Sequence, residues 1–334
     1  IDAKCKRFLE YSSVEEAQQI VAGLTDADKP LLILGGGSNL LLTGDYEGTV
    51  LHSSIMGIEV LGNGELAAAE HDALLDPEFV FLRCGSGEVF DDVVAYAVEH
   101  GYHGAENLSI IPGEVGASAV QNIGAYGVEV KDIIKTVHAF DTMNKEFVKF
   151  DVPECGYGYR ESRFKNTDKD RFIITHVVFA LSREPKPRLD YSKVLDSLKD
   201  DPSLTPMKVR EAVTAIRKEK LPDPAEIGSA GSFFKNPVIS NDDFEKLTPK
   251  SGMEVPHYKV SDDLVKVPAA WLIEQCGWKG KRLGGAAVWG KQPLVIVNAT
   301  GKALPCEIIS LENRIRESVL QRFGIRLECE VEHI

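Results

Sequence analysis

The stretch Ile111-Pro-Gly-Glu-Val-Gly-Ala-Ser-Ala-Val-Gln-Asn-Ile-Gly-Ala-Tyr-Gly127 governs the interpretation of the whole chain. It holds four glycines and a single charged residue, Glu114. Glycine lets a main chain approach a ligand closely and adopt positive φ, and successive N–H groups can form a nest for phosphate oxygens. Gln121 and Asn122 add side-chain amides that suit the polar edge of a planar heterocycle. The stretch therefore predicts a long ordered ligand-binding loop, with a plain glycine-rich turn as the alternative.

A second glycine-rich stretch, Gly35-Gly-Gly-Ser-Asn39, directly follows the buried-strand pattern of residues 31–34. A strand that runs into a glycine turn is an arrangement that holds a diphosphate. The dinucleotide-binding spacing fails because Leu40 occupies the third glycine position, and no Lys-Ser/Thr pair follows as in a P-loop. The stretch predicts either a phosphate-binding turn of another kind or an ordinary turn.

Composition bounds the class of protein. The chain has 334 residues, of which 43% are hydrophobic and 27% charged, so we expect a globular protein of two or three domains. The formal net charge of −13 disfavours a nucleic-acid surface. No apolar run approaches the roughly 18 residues of a membrane span and no signal peptide is recognisable, so we expect no membrane insertion. Because the first residue is Ile1, a few residues are expected to have been lost before it.

The cysteines indicate a compartment. They are scattered along the chain, with no CxxC pair and no Cys/His cluster: Cys5, Cys84, Cys155, Cys276, Cys306 and Cys329. This usage is typical of a reduced, cytoplasmic protein, and it predicts no metal site.

Periodicity and capping signals predict an α+β chain. Helices are expected over residues 13–23, 89–100, 205–219 and 268–277 and from Pro305 onward, and a capping box of Ser13 and Glu16 opens the first. Strands are expected over 31–34, 49–53, 79–84, 134–141, 146–150, 171–181, 294–298 and 327–333, with 134–141 and 146–150 paired as a hairpin. The polar segment 182–204, which contains three prolines, is expected to be an excursion between lobes. Apolar residues three to four positions apart predict one buried face on the last helix: Ile308, Leu311, Ile315, Val319 and Phe323.

Single polar residues leave two interpretations open at this point. Arg160 follows a glycine-flanked segment, where its planar fork could pair with a carboxylate or could simply be solvated. Ser232 is compatible with an ordinary turn serine, and the two phenylalanines after it are expected in the core. Alternation places Glu330 on one face of the final strand, which is also compatible with a solvated strand edge.

Five segments taken together resemble one family. They are Leu34-Gly-Gly-Gly-Ser-Asn39, Ile111-Pro-Gly…Gln-Asn-Ile-Gly-Ala-Tyr-Gly127, Gly158-Tyr-Arg-Glu-Ser-Arg-Phe-Lys165, Gly231-Ser-Phe-Phe-Lys-Asn-Pro237 and Leu327-Glu-Cys-Glu-Val331. In this order they look like the UDP-N-acetylenolpyruvoylglucosamine reductases, the MurB enzymes of bacterial peptidoglycan synthesis, over nearly the whole chain. Each segment alone is weak or moderate, whereas five in sequence are highly specific.

The resemblance implies a fold and a reaction. The fold would be a two-lobed FAD-binding region of the vanillyl-alcohol-oxidase type plus a C-terminal α/β substrate-binding domain. Its parts would be lobe 1 over 1–56, joined by the strand 325–334, lobe 2 over 57–221, and the substrate-binding domain over 222–324. Non-covalent FAD would pass a hydride from NADPH to the enolpyruvyl group of UDP-N-acetylglucosamine enolpyruvate, giving UDP-N-acetylmuramate. We expect a cytoplasmic monomer.

The resemblance also implies roles for individual residues. Arg160 would stabilise the negative charge that develops towards the substrate carboxylate, protonated Glu330 would hydrogen bond to that carboxylate, and Ser232 would supply the proton. Contacts with FAD would come from Gly36, Gly37, Ser38, Asn39, Ile111, Pro112, Gly113, Gly116, Gln121, Asn122, Gly124, Ala125 and Tyr126. The UDP-sugar would be held by Tyr159, Tyr191, Arg217, Lys220, Asn236, Tyr258, Lys279 and Gln292.

Two departures from the family pattern bear on these roles. The Asn-Thr-Phe segment that usually precedes the first helix is missing, in line with the expected loss at the front, so one wall of the flavin site would be incomplete. Glu114 stands where a small or hydroxyl residue is more usual, and we expect its side chain to point to solvent.

Two other functions remain open from the sequence. A different flavin oxidase or dehydrogenase of the same superfamily, acting on a sugar or alcohol, is disfavoured because the flavin stretches contain no His or Cys for covalent attachment, and because it gives the Gly-Ser-Phe-Phe-Lys-Asn segment no role. A nucleotide-binding regulatory protein is the non-enzymatic alternative, and a colourless preparation would favour it.

Overall fold

The computed structural model describes residues 1–62, 77–190, 196, 198–247 and 253–334. Its strands are β1 Cys5–Tyr11, β2 Leu31–Leu34, β3 Leu40–Leu41, β4 Tyr46–Ser53, β5 Ile58–Val60, β6 Phe79–Gly85, β7 Gly124–Ala125, β8 Val128–Glu129, β9 Ile134–Asp141, β10 Glu146–Asp151, β11 Phe172–Ser182, β12 Ser229–Ser232, β13 Val238–Ser240, β14 Tyr258–Lys259, β15 Leu264–Lys266, β16 Arg282–Leu283, β17 Ala286–Val288, β18 Val295–Asn298 and β19 Glu332–His333. Its helices are α1 Val14–Gly23, α2 Phe90–Glu99, α3 Val115–Gln121, α4 Pro206–Lys220, α5 Asn241–Glu245, α6 Ala269–Gln275 and α7 Pro305–Phe323.

The chain forms two compact units. The N-terminal unit consists of Cys5–Gly37 and Glu47–Arg217. The C-terminal unit consists of Ile1–Lys4, Ser38–Tyr46 and Lys218–Ile334. The division into two flavin-binding lobes and a substrate-binding domain, with the boundaries given above, stays a prediction. Among the described residues, no helix has the length and apolar character needed to cross a membrane.

Two sheets form the framework of the N-terminal unit. A three-stranded sheet has the order β1-β4-β2, and a five-stranded antiparallel sheet has the order β10-β9-β11-β6-β5. Phe140 and Ile173 of the larger sheet share a core with Tyr11 and Leu51 of the smaller one. The predicted strands and the hairpin of β9 and β10 are therefore confirmed.

Helix α1 begins where the sequence places its cap. The Ser13 hydroxyl accepts a hydrogen bond from the Glu16 N–H at 3.1 Å. The Glu16 carboxylate reaches back to the Ser12 N–H at 2.7 Å, one residue earlier than in a standard capping box. The Glu16 N–H is one of the groups that a helix start leaves without an intrahelical partner, and the second bond fixes the residue just before the cap.

The stretch 111–127 differs from its prediction as a continuous loop, because it contains helix α3. Its small residues allow close packing of a helix. A Cβ on Gly116 would lie 2.9 Å from the Ser86 Cβ, and a Cβ on Gly85 would lie 2.2 Å from the Ile55 carbonyl oxygen. Glycine at these positions therefore lets α3 and the end of β6 pack at distances that side chains would prevent.

The C-terminal unit is built around α7. Its residues Ile308, Leu311, Ile315, Val319 and Phe323 are all buried, as predicted. Pro305 opens the helix and Gly324 ends it at φ +75°, and this asymmetry is typical of helix termini. The helix packs against a four-stranded sheet with the order β12-β18-β17-β16, and both phenylalanines after Ser232 lie in this core, as expected.

The predicted final strand over 327–333 is mostly absent as a regular ladder. Strand β19 pairs in parallel with β3, and Cys329 forms an isolated antiparallel bridge with Phe234. Residues 328–330 instead bond to the segment after β12: the Lys235 N–H donates to Glu328 and the Glu330 N–H donates to Phe233, each at 2.9 Å. Leu327 and Val331 are nevertheless buried, as the predicted alternation requires. Their apolar side chains pack in the core although the segment does not form a continuous ladder.

The segment 182–204 lies only partly within the described residues. Leu189 packs against Val209, Val213 and Ile216 of α4. The Arg188 carbonyl accepts a hydrogen bond from the Asn107 side chain at 2.8 Å. Tyr191 falls outside the described residues, so its expected contact with the UDP-sugar stays a prediction.

Replacing Ile315 with alanine should destabilise the C-terminal unit. Ile315 is fully buried, so Ile315→Ala should lower the free energy of unfolding by about 2–5 kcal/mol. Leu320→Ala on the same helix is the control, since Leu320 is 43% exposed and its change should be within about 0.5 kcal/mol. All three tryptophans lie in this unit, so urea unfolding followed by tryptophan fluorescence measures it directly. Equal losses in both variants would contradict this account of the core.

Candidate active site

The glycine turn after β2 lies against the start of α3. A Cβ on Gly35 would lie 2.8 Å from the Ala117 Cβ, and a Cβ on Gly36 would lie 3.6 Å from the Gly113 Cα. Gly36 and Gly37 are exposed, and Gly37 has φ +66°. Two main-chain segments rich in glycine therefore come together here, as a ligand that binds through main-chain N–H groups requires.

Glu114 does not point to solvent, and this expectation was wrong. Its side chain is only 14% exposed, and its Oε1 lies 3.1 Å from His52 Nε2. Its carboxylate faces the glycine turn, because a Cβ on Gly35 would lie 3.4 Å from Oε2. The physical reason is His52 on β4, which offers a hydrogen-bonding partner that the sequence does not reveal. His52 also bonds to Glu10 through Nδ1 at 3.0 Å.

Two opposing effects act on the pKa of His52. Burial lowers it, but the hydrogen bonds to Glu114 and Glu10 and the charges of both carboxylates raise it further, so the net shift is upward. The charged imidazolium is thereby favoured. A positive charge accordingly offsets the carboxylate beside the predicted phosphate-binding turn.

Non-glycine residues with positive φ concentrate in the predicted site. Of the six such residues in the described part of the chain, three are predicted site residues, Asn122, Tyr126 and Arg160, and a fourth, Ile110, directly precedes the predicted stretch. Ile110 has φ +51° although it is β-branched, for which this region is an outlier. Such conformations cost about 1–3 kcal/mol each and persist only where the surroundings enforce them. Their clustering indicates a site whose geometry is held by the fold.

Arg160 is held by two main-chain carbonyls of the glycine stretch. Its Nη2 donates to Gly124 at 2.6 Å and its Nη1 donates to Asn122 at 3.2 Å. The guanidinium also lies over the Tyr159 ring, 5.5 Å from its centroid. A Cβ on Gly124 would lie 2.9 Å from Arg160 Nη1, so glycine is required for this approach. The arginine fork is therefore fixed in position beside β7.

Asn122 uses its side-chain amide within the protein. The residue is fully buried, and its Nδ2 donates to Gly158 at 2.7 Å and to Glu129 at 3.1 Å. Its Oδ1 accepts from the Lys131 N–H at 3.2 Å. Gln121 is half-buried and accepts from Lys165 Nζ at 2.7 Å. The idea that these amides are free to recognise a heterocycle is not supported by these bonds, and contact with FAD stays a prediction for both residues.

Arg217 at the end of α4 combines burial with an unused donor. Its Nη2 donates to Ile110 at 3.4 Å. Within the part of the chain that the structure describes, its buried Nε has no hydrogen-bond partner. Burial lowers the pKa of Arg217, and the nearby Tyr126 and Asp91 oppose that shift. Arg210, in contrast, makes a bidentate pair with Asp91 at 2.6 and 2.9 Å. Arg217 is therefore suited to bind an anionic ligand, whereas Arg210 has a structural role as the partner of Asp91.

Segments that carry three of the predicted residues come together in the C-terminal unit. Asn39 and Glu330 are separated by 291 positions, yet Asn39 Nδ2 donates to the Glu330 carbonyl at 3.1 Å. The Glu330 N–H donates to the Phe233 carbonyl at 2.9 Å, next to Ser232 at the end of β12. Ser232 and Glu330 are both half-buried. The sequence motifs that contain these residues are thus joined by main-chain hydrogen bonds.

The remaining predicted sugar-binding residues of the C-terminal unit differ in their contacts. Asn236 Oδ1 accepts from the Ala269 N–H at 2.9 Å. Gln292 Oε1 accepts from the Leu294 N–H at 3.4 Å. Lys279 pairs with Glu274 at 2.7 Å, and Tyr258 is 46% exposed. The exposed Lys220 accepts a hydrogen bond from the Trp289 indole through its carbonyl at 3.0 Å. Their substrate contacts stay predictions.

The sequence analysis missed two residues that shape the site. His52 has no local motif, since its partners Glu10 and Glu114 come from distant segments. Lys165 lies within the recognised Arg160 segment, and its Nζ, which lies 3.5 Å from the Arg160 carbonyl, links that segment to Gln121. The Gly158–Lys165 motif contained the signal for Lys165, whereas nothing in the sequence identifies His52.

The residues of the N-terminal unit fit a dinucleotide such as FAD. Exposed glycines at 36 and 37 and positive φ at Gly113 leave main chain open to phosphate oxygens. Glu114 opposes an anion here, but His52 offsets its charge.

Comparisons with known proteins agree with this geometry. An FAD binding domain family matches residues 6–148, and the family described as UDP-N-acetylenolpyruvoylglucosamine reductase, C-terminal domain, matches residues 223–334. A UDP-N-acetylenolpyruvoylglucosamine reductase of Bacteroides fragilis is 48% identical over 334 residues, covering 100% of this chain and 96% of the relative. One of Flavobacterium johnsoniae is 43% identical and covers 99% of this chain and 94% of the relative.

A solved structure shares the fold. The crystal structure of UDP-N-acetylenolpyruvylglucosamine reductase from Thermus caldophilus matches with a TM-score of 0.64 at 23% identity, covering 98% of this chain and 91% of that one. The predicted fold class, an α+β chain with an FAD-binding region and a C-terminal domain, is confirmed by these matches.

Replacing Gly124 should displace Arg160. A Cβ there would lie 2.8 Å from the Val128 carbonyl oxygen and 2.9 Å from Arg160 Nη1, so Gly124→Ala should cost about 1–3 kcal/mol of unfolding free energy. Gly158→Ala is the matched control, because its Cβ would meet only Glu161 Cβ, at 3.5 Å. Scanning calorimetry measures both. A Gly124→Ala variant as stable as Gly158→Ala would show that the approach of Arg160 is not tight.

His52 should make stability depend on pH. Because its folded pKa is raised above the ordinary 6.5, its stabilising contribution is complete below that value and is lost as pH rises through the folded pKa. The urea midpoint of the wild type should therefore be higher than that of His52→Gln, and this difference should be larger at about pH 5.5 than at about pH 8.5. The exposed His100, changed to Gln, is the control and should leave the profile unchanged. A constant difference across this range would contradict the assignment.

Proposed function

The chain belongs to the UDP-N-acetylenolpyruvoylglucosamine reductase family, and we propose on that premise that it reduces the enolpyruvyl group of UDP-N-acetylglucosamine enolpyruvate with NADPH. It is an FAD-dependent oxidoreductase. The product is UDP-N-acetylmuramate, a precursor of peptidoglycan. Identity of 48% over 334 residues supports this assignment for the chain as a whole.

One structural observation carries the proposal. The motif residues Asn39, Ser232 and Glu330 are far apart in sequence, yet hydrogen bonds join their segments within the C-terminal unit. A half-buried carboxyl group and a half-buried hydroxyl group thereby lie on adjoining segments. This arrangement supports proton transfer and carboxylate recognition better than it supports a purely structural role.

The chemistry requires a cation where negative charge develops. When bound, FAD supplies hydride transfer from NADPH to the substrate. Arg160 then stabilises the negative charge that spreads from the substrate carbon into its carboxylate. Its fork is already oriented by the Gly124 and Asn122 carbonyls, so little reorganisation accompanies the reaction. The positive φ of Arg160 supports the same role, since strain is commonly held at functional sites.

The reaction also requires a proton. Ser232 donates it to the substrate carbon from the end of β12, where the backbone is fixed by pairing with Val295. Glu330, in its protonated form, donates a hydrogen bond to the substrate carboxylate. Arg217 offers an anionic oxygen of the UDP-sugar its Nε, which has no hydrogen-bond partner among the residues that the structure describes. Lys220 and Lys279, both exposed, supply further positive charge for the diphosphate.

We also propose a cytoplasmic monomer. All six cysteines lie in the described part of the chain and are free thiols, which supports a reducing compartment. The net charge of −13 supports the expectation that nucleic acid is not a partner.

The visible spectrum of the purified protein tests the proposal. Under anaerobic conditions, NADPH should bleach the flavin band, and UDP-N-acetylglucosamine enolpyruvate should restore it. A band that stays bleached would show that the protein is a flavoprotein but that this compound is not its substrate. A preparation without a flavin band, even after incubation with FAD, would overturn the enzymatic proposal.

Ser232→Ala should separate the two half-reactions. Reduction of the flavin by NADPH should remain nearly intact, while reoxidation by substrate should slow by about 10²–10⁴-fold, the usual contribution of general acid catalysis. Ser229→Ala is the matched control, because Ser229 lies on the same strand and is also half-buried. Stopped-flow absorbance measures each rate. Equal losses in both half-reactions would remove Ser232 as the specific proton donor.

Arg160→Lys should be damaging despite the retained charge. An ammonium cannot donate to two divergent carbonyls and still present a planar face to a carboxylate, so kcat should fall by about 10²–10³-fold. The exposed Arg183 provides the control, and Arg183→Lys should retain full activity. Steady-state assays of both variants decide the point, and activity within about twofold of wild type for Arg160→Lys would contradict the role.

A further inference from the structure

Helix α7 carries a carboxylate on its buried face. Glu312 lies one position after Leu311 and four after Ile308, so helical geometry directs it inward with them. Its side chain is only 3% exposed. In the portion of the chain that the structure describes, its Oε2 atom has no hydrogen-bond partner. A buried carboxylate oxygen without a partner is costly and calls for a physical explanation.

Two metal-binding side chains face this carboxylate from the last residues of the chain. Cys329 Sγ lies 2.9 Å from Glu312 Oε1, and the thiol donates a hydrogen bond to it. His333 Nε2 lies 3.3 Å from Glu312 Oε2, within ion-pair distance but without the geometry of a hydrogen bond. One ligand atom from each of the three residues can be chosen so that all lie within 4.8 Å of one another.

These separations suit a single ion. Ligand atoms at about 2.0–2.3 Å from Zn²⁺ in a tetrahedral arrangement lie about 3.3–3.6 Å apart. The 3.3 Å between His333 Nε2 and Glu312 Oε2 matches this spacing. Cys329 Sγ lies 2.9 Å from the other carboxylate oxygen, Oε1, and one ligand atom from each residue lies within 4.8 Å of the others, so small adjustments of side chains suffice. The orientation of His333 also becomes understandable, since its nitrogen and Oε2 can both direct lone pairs at a common point instead of at each other.

We propose that Glu312, Cys329 and His333 form a binding site for a divalent cation of the zinc class. A thiolate, an imidazole and a carboxylate together select borderline metals such as Zn²⁺ over Mg²⁺ or Ca²⁺, which prefer oxygen ligands. The fourth position would be filled by water, because the His333 side chain is 31% exposed and leaves the site open to solvent.

The neighbouring charge is compatible with this site. Arg316 Nη1 lies 3.3 Å from Glu312 Oε1, so the guanidinium orients the carboxylate and leaves Oε2 for the ion. Binding would replace the S–H bond of Cys329 by a bond from sulfur to the metal, and the proton would pass to the solvent. No change of oxidation state is involved.

The site would join the end of the chain to α7. Cys329 directly precedes Glu330, and the Glu330 segment is otherwise held by main-chain bonds to Phe233 and Asn39. A metal bridge at Cys329 would add a side-chain anchor next to that residue. The proposal rests on the cluster itself and stands or falls independently of the enzymatic activity.

Titration of the full-length, flavin-loaded protein with ZnCl₂ tests the proposal. Calorimetry should show one saturable site, and the unfolding temperature should rise with Zn²⁺. X-ray absorption at the zinc edge should show one sulfur ligand at about 2.3 Å and nitrogen or oxygen ligands at about 2.0–2.1 Å. Cys329→Ser, Glu312→Gln and His333→Gln should each weaken binding by at least about tenfold.

Two controls keep the outcome decisive. Cys306→Ser removes the exposed thiol at the start of the same helix and should leave zinc affinity unchanged. His333 is exposed, so His333→Gln should fold normally even where a change at the buried Glu312 does not. Zinc binding that is abolished by Cys306→Ser, is unaffected by His333→Gln, or shows no sulfur ligand would overturn the proposal.

Discussion

The burial of Asn122 is the constraint on which the candidate site residues of the N-terminal unit depend. This residue ends α3 with φ +42° and is fully buried, so its amide must be satisfied within the protein. It does so by bonding to Gly158, Glu129 and the Lys131 N–H. One side chain thereby joins the helix end, the β7–β8 hairpin and the segment that carries Arg160. The position of the arginine fork follows from a buried amide that itself needs partners.

In the C-terminal unit, the segment that carries Glu330 is fixed mainly by main-chain hydrogen bonds. Residues 328–330 leave the regular ladder and bond to Phe233, Lys235 and the side chain of Asn39. In a continuous strand, the N–H groups would all bond to neighbouring strands of one sheet, and each residue would be held in the same way. The irregular segment instead distributes its bonds between two distant parts of the chain. This places Glu330 where β3 and the end of β12 both fix its backbone, and it explains why sequence alternation alone gave too long a strand.

The sequence was sufficient for features that depend on local periodicity or on recognisable motifs. The apolar face of α7, the Ser13 cap and the hairpin of β9 and β10 are local, and the structure confirms them. The sequence was insufficient to predict local structure where small residues allow close packing. Gly116 and its neighbours resemble a loop in sequence, yet they form α3, and residue 116 is a glycine where Ser86 leaves no space for a Cβ. Side chains that meet only through the fold were also hidden: the partners of His52 come from distant segments, and Cys329 lies 17 positions from Glu312.

Net charge is a poor guide to what this chain binds. Its value of −13 would repel an anionic ligand on average, but the field at a binding site is set by groups within a few ångströms, because solvent ions screen more distant charges. Arg217 is buried with a donor to spare among the described residues, and His52 offsets the carboxylate that faces the glycine turn. The His52 side chain is therefore the partner that accommodates a carboxylate at position 114. A carboxylate at 114 paired with an uncharged residue at 52 would place an uncompensated negative charge where phosphate oxygens are expected to bind.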